Sequence, residues 1–133
     1  MTEIERHDPF GGAYGAALAT RAGGFVFTSV AGVIELRDGV PVFADGFDEQ
    51  LRLAGRHIAA ELAEFGFSAS DIVDSTVFVH PAVSVHPDLL RDTLSEQVFG
   101  GAQPSLTIVH AASTYDTSLI VIKIVAFNSS SMT

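Results

Sequence analysis

The sequence predicts an α+β fold, a mixed β-sheet with two helices packed on one of its faces. Short runs rich in β-branched and aromatic residues alternate with two stretches whose apolar residues recur every three or four positions. Apolar residues make up 47% of the 133-residue chain and charged residues only 17%, enough for one domain with a real core. A two-helix layer covers one sheet face only. The apolar excess therefore points to an oligomer that covers the other.

Residues 1–12 are polar, then glycine-rich, and read as a mobile or loosely docked arm to a single domain spanning 1–133. Residues 13–22 alternate weakly, as a marginal strand, and Gly23-Gly24 is a turn signal. Phe25–Ala31 (FVFTSVA) is a strand. Val33–Leu36 and Val40–Phe43 flank Asp38-Gly39, a strong hairpin signal.

The period changes over Phe47–Phe67. Leu51, Ala54, Ile58, Leu62 and Phe65 form one helical stripe, and Gly66 supplies a stop. Ile72–Val79 (IVDSTVFV) is a strand and Pro81–Pro87 a loop. Pro87–Phe99 opens with proline and an acid, suited to a first helical turn, and carries Leu90, Leu94 and Val98 at four-residue spacing. Gly100-Gly101 ends it. Ser105–Ala111 and Ser118–Phe127 are strands joined by the polar loop Ala112–Thr117. Leu119–Phe127 is apolar at almost every position, the signature of a central strand buried on both faces. The tail from Asn128 to Thr133 is polar and expected to fray.

Charge narrows the partners. The formal net charge is −9 and the pI near 4.7, with no basic stripe, which disfavours nucleic acid and anionic membranes. Without cysteine there is no thiolate nucleophile and no cysteine-based zinc site. The first ten residues lack an apolar signal-peptide core, and no run of about 18 apolar residues marks a membrane span. The default is a cytoplasmic protein. Five histidines show no metal-ligand spacing, and neither Gly11-Gly12 nor Gly23-Gly24 fits a phosphate loop, so no metal and no cofactor are expected.

Several segments together resemble the Rid/YjgF family. Gly11–Tyr14 stands where that family has Gly-Pro-Tyr-Ser, and Phe25–Ser29 (FVFTS) is similar to its "VFVSG" strand. Asp48–Gln50 opens the first helix as the family's "EQ" does. Phe65-Gly66, Ser70–Asp74 and Thr76–Val79 match its "AG…ddVvkttVFl" run. The resemblance spans Gly11 to Phe127 and is most specific from Phe47 to Val79. It implies a chorismate-mutase-like fold and a homotrimer around a β-barrel core, with ligand clefts between subunits. It also implies hydrolysis of enamine or imine intermediates without metal or cofactor. In that chemistry an arginine on the penultimate strand clamps a substrate carboxylate, and a glutamate on the last strand positions or activates water.

Both positions differ here. The arginine falls within Gln103–Leu106, at Ser105 or, in the other alignment, at Leu106. The glutamate falls at Val121. Lys123 projects to the same face as Val121 but replaces no acid. The serine after the family tyrosine is Gly15, and the glycine after Ser29 is Val30.

His110 and Asp116 are the candidate acid–base groups. Strand alternation puts Ser105 and Thr107 on one face and Leu106 and His110 on the other, so His110 reaches the cleft only in the Leu106 alignment or across a bulge. A sheet-edge histidine is the plainer reading. Tyr14, Ser29, Ser105, Thr107, His80 and Tyr115 are candidate ligand contacts. For His80 and for the Tyr115-Asp116 loop, ordinary turn residues are the competing reading. Lys123 in an apolar strand must reach water, an acid or a ligand. Together these predict a homotrimer whose altered cleft acts on a small imine, enamine or carbonyl compound with little negative charge. The rivals are a non-catalytic binding or chaperone-like trimer, and a deaminase with an arginine relocated to Arg21, Arg37 or Arg91.

Overall fold

A computed structural model describes residues 3–9, 18–113 and 115–131. Eight strands and two α-helices follow in the order β1 (Ile4–His7), β2 (Ala19–Ala22), β3 (Phe25–Ala31), β4 (Val33–Arg37), β5 (Val40–Phe43), α1 (Phe47–Glu64), β6 (Ile72–Val79), α2 (Pro87–Gln97), β7 (Ser105–His110) and β8 (Ile120–Phe127). Six strands make one sheet in the order β1-β2-β3-β8-β6-β7, and β4-β5 forms a separate hairpin. β6 and β7 are parallel and joined through α2, while the other neighbours are antiparallel.

Alternation along the strands divides the sheet into two faces. Val26 and Val30 of β3, Val77 and Val79 of β6, and Ile120, Ile122, Ile124 and Ala126 of β8 are buried on the inner face. α1 lies over β3 and β8 and brings Leu51, Ala54, Ile58 and Leu62 to them. α2 adds Leu90 and Leu94. The outer face is left to Phe25, Phe27, Ser29, Val121, Lys123, Val125 and Phe127. β8 is thus central, as its sequence indicates, but a single chain buries only its inner side.

Local chemistry sets the boundaries. Asp38 and Gly39 both have positive φ, 53° and 77°, as a two-residue turn of the primed type demands. α1 ends in a Schellman arrangement. Gly66 at φ 77° donates to Ala63 O, and Phe67 donates to Leu62 O while packing into the core beside Leu62. That closes the helix at Glu64, shorter than the apolar stripe alone suggests. α2 starts at Pro87 with His86 as N-cap, its Nδ1 accepting from Asp88 N at 3.1 Å.

Two elements differ from the sequence reading. Residues 4–7, read as part of a loose arm, pair with β2 as an edge strand, and His7 Nδ1 lies 2.5 Å from Glu61 Oε2 on α1. β6 carries a bulge between Ile72 and Asp74. The extra residue, Val73, lets Ile72 and Ser75 both face the core and sends Asp74, Thr76 and Phe78 outward.

One side chain ties the layers together. Gln50, 2% exposed, donates from Nε2 to Ala44 O (3.0 Å) and Thr117 O (2.8 Å), and its Oε1 accepts from Leu119 N (2.7 Å). It holds the start of β8 against the end of the hairpin. Gly32 makes room for it, since a Cβ there would stand 2.5 Å from Gln50 Cα. His57 adds a second tie, its Nε2–H donating to Val33 O at 2.7 Å.

Gln50→Leu keeps the volume but strands the Thr117 carbonyl and the Leu119 N–H. Urea unfolding should show a loss of about 3 kcal/mol. The hydrogen bond to Glu61 raises the pKa of His7 above 6.5; partial burial opposes this, and the charges of Glu61, Glu64 and Asp8 add to the rise. A raised histidine pKa contributes stability that is whole below pH 6.5 and is lost as pH rises through the folded value. An NMR titration of the His7 ring should therefore give a midpoint above 6.5, and Glu61→Gln should move it down.

Candidate functional site

Register places the outer face row by row. Ser29 of β3 lies opposite Lys123 of β8, Lys123 opposite Thr76 of β6, and Thr76 opposite Thr107 of β7. With strands about 4.8 Å apart, this row of three hydroxyls and one ammonium spans about 14 Å. On one side runs the apolar row Ala31, Val121, Phe78 and Val109. On the other runs Phe27, Val125, Asp74 and Ser105. Ser29, Ser105 and Thr107 therefore share one face, together with Asp74 and Lys123. Lys123 makes no ion pair among the described residues.

β7 runs without a register shift, so Leu106 packs against the core and Ser105 is the residue on the outer face. His110 follows Leu106 and Ile108 to the helix side, where it is exposed at the strand end. It does not share a face with Ser105 and Thr107, because the bulge needed to turn it is absent from β7. The arginines named as relocation candidates are also elsewhere. Arg21 pairs with Glu5 on β1, Arg37 with Glu35 in the hairpin, and Arg91 with Asp88 on α2.

At one end of the outer face lies an open-mouthed pocket of about 240 Å³, lined by Phe78, His80, Ala111–Ser113, Ser118, Ile120 and Val121. Val121 of β8 is part of its wall. His80 extends the β6–β8 pairing, its N–H donating to Leu119 O at 2.9 Å. Its Nδ1 accepts from Ala82 N at 3.0 Å, which leaves the proton of the neutral ring on Nε2.

Asp116 and Thr117 border a different depression, with Pro41–Gly46, Gln50 and Leu119. Tyr115 leans on Phe43 with ring centroids 5.8 Å apart. The Gln50 clamp separates these residues from the His80 cavity. Tyr14 lies outside the described residues. Thr76, Asp74 and Ser118 were not singled out from the sequence. Strand pairing and the β6 bulge bring the first two to the face, and neither leaves a mark in a single strand's pattern. Among the described residues no three histidine or acidic groups converge as a metal site.

These features define an α+β protein with one covered and one open sheet face, and a polar row with an adjoining cavity on the open side. Solved structures of the same fold are known. The chain is 20% identical to Rv2704 of Mycobacterium tuberculosis, of the YjgF/YER057c/UK114 family, with TM-score 0.72, covering 95% of this chain and 100% of that one. It is 19% identical to NMB1025 of Neisseria meningitidis, a YjgF-family protein, with TM-score 0.68 and 95% of each chain covered. It is 18% identical to RidA of the Antarctic bacterium Psychrobacter sp. PAMC 21119, with TM-score 0.66, covering 84% and 87%. No protein-family model matches the sequence, and no curated protein is a significant match. The chain has the YjgF fold.

Proposed function

We propose that the protein is a divergent Rid-like homotrimer that handles a small imine, enamine or carbonyl compound of little negative charge in clefts between subunits. The observation that carries this reading is the character of the outer face around Ser105 and Val121. Where the family resemblance implies a guanidinium and a carboxylate, a hydroxyl and an isopropyl group stand. A serine cannot offer the paired donors that grip a carboxylate, and a valine cannot move a proton. The overall charge of −9 adds repulsion against an anionic substrate.

The polar groups that remain suit proton-transfer work on an uncharged double bond: hydrolysis, tautomerisation, dehydration or cyclisation. Ser29, Thr76 and Thr107 supply hydroxyl contacts, Asp74 and Lys123 are the titratable groups on β6 and β8, Arg6 shares the face at its far edge on β1, and His80 stands at its end. No step requires a metal or cofactor. The open face, with the Phe25 ring against those of both Phe27 and Phe127, supports assembly through that side. Among the described residues no helix is long and apolar enough to cross a membrane.

A non-catalytic binding trimer is the second reading. It is favoured by the separation of His110 and Asp116 from the hydroxyl row. Ligand binding by the wild type without conversion, left unchanged in His80→Phe and Asp74→Asn, would count for it.

A coupled assay should find no ammonia release from a freshly generated 2-iminoacid above the spontaneous rate. Catalysed release would overturn the loss of the deaminase activity. Restoring both groups in the Ser105→Arg, Val121→Glu double variant should raise release above the wild type, if the fold alone otherwise suffices.

A further inference from the structure

Ser118 precedes β8, is 2% exposed, and its buried hydroxyl oxygen has no hydrogen-bond partner among the described residues. Such a group costs about 1–3 kcal/mol, and native chains seldom keep one without cause. Its backbone cannot move away to relieve it. Gln50 grips Thr117 O on one side and Leu119 N on the other.

Ser118 lines the 240 Å³ cavity together with His80. The bond from Ala82 N to His80 Nδ1 makes Nε2–H the free donor of that ring. The rest of the wall is mainly Phe78, Ala111, Ala112, Ile120 and Val121. Among the described residues no carboxylate, ammonium or guanidinium belongs to it. A charged group seated there would give up part of its hydration without a counter-charge, whereas a neutral oxygen needs none. Apolar cavities of about 150 Å³ accept benzene, so this volume suits a single substituted ring.

We propose that this cavity binds a small neutral molecule through one oxygen acceptor, a carbonyl, held by the Ser118 hydroxyl and His80 Nε2–H. The inference rests on the neutral-cleft reading above and deepens it by naming the recognised group. The carbonyl satisfies the stranded hydroxyl, and the apolar wall covers the ring.

Three molecules of matched size separate the outcomes in a ¹H–¹⁵N NMR titration at neutral pH: acetophenone, α-methylstyrene and benzoate. Acetophenone should give saturable shifts centred on His80, Ala112, Ser118 and Val121. α-Methylstyrene, lacking the oxygen, should bind at least about fivefold more weakly, the worth of one hydrogen bond. Benzoate should give no saturable shift. Ser118→Ala should weaken acetophenone by about five- to tenfold while the melting temperature holds or rises, because an unpaired hydroxyl has been removed. His80→Phe, which keeps a ring but loses the donor, should weaken it similarly. If a trapped water already satisfies Ser118, Ser118→Ala lowers the melting temperature and leaves the affinity unchanged, which overturns the proposal. No saturable acetophenone binding, equal binding of all three probes, a preference for benzoate, or shifts elsewhere would also overturn it. Ammonia release in the iminoacid assay would sink the neutral-cleft reading and leave this titration to stand or fall separately.

Discussion

The structure depends on one imbalance: a six-stranded sheet has two helices and therefore one covered face. On the inner side, α1 and α2 seal Val26, Val30, Ile122 and Ile124 from water. On the outer side, Phe25, Phe27 and Phe127 form a contiguous aromatic patch in which Phe25 and Phe27 stay exposed. Apolar surface of that kind on a soluble chain marks a docking face. Hydroxyls, the Asp74 carboxylate and the Lys123 ammonium interrupt it on the central strands, and Arg6 stands on the same face at the β1 edge. In the proposed trimer the same face would supply both the drive for assembly and the polar groups for a ligand.

The positions of those groups are fixed by a few backbone arrangements remote from them. The bulge between Ile72 and Asp74 decides that Asp74, Thr76 and Phe78 look outward. The regular pairing of β7 decides that Ser105 and Thr107 join them and that His110 does not. Gln50, reaching from α1 to three backbone groups, sets where β8 begins and how Ser118 sits just before it. A buried amide serving three main-chain partners leaves little freedom at this corner, so a small change there would be felt in the cavity.

The fold was legible because its elements have strong local signals. The α1 stripe, the Asp38-Gly39 turn, the proline at the start of α2 and the apolar run of β8 each act within a few residues of chain. Residues 4–7 were misread as a loose arm because an edge strand is held chiefly by backbone bonds, and Ile4–His7 buries almost nothing. His7 adds a partner, Glu61, that is remote in sequence. The candidate site was legible in part. Ser29, Ser105 and Thr107 fall together by simple alternation, and His80 was marked by its place at a strand end. Which strands lie beside one another decides the rest. Neither Thr76 beside Lys123 nor Ser118 stranded behind Gln50 follows from the residues near it in sequence. His110 shows the converse: a residue of the right type, two positions from Ile108, is carried to the helix side by the alternation of its own strand.

Sedimentation equilibrium tests the central claim most directly, since an open apolar face that is also the wall of a cleft requires neighbours. At micromolar concentration the protein should sediment as a single species of about three times its 14.0 kDa chain mass. A species near the mass of one chain would contradict it, leaving the aromatic face exposed and the cleft without its second wall.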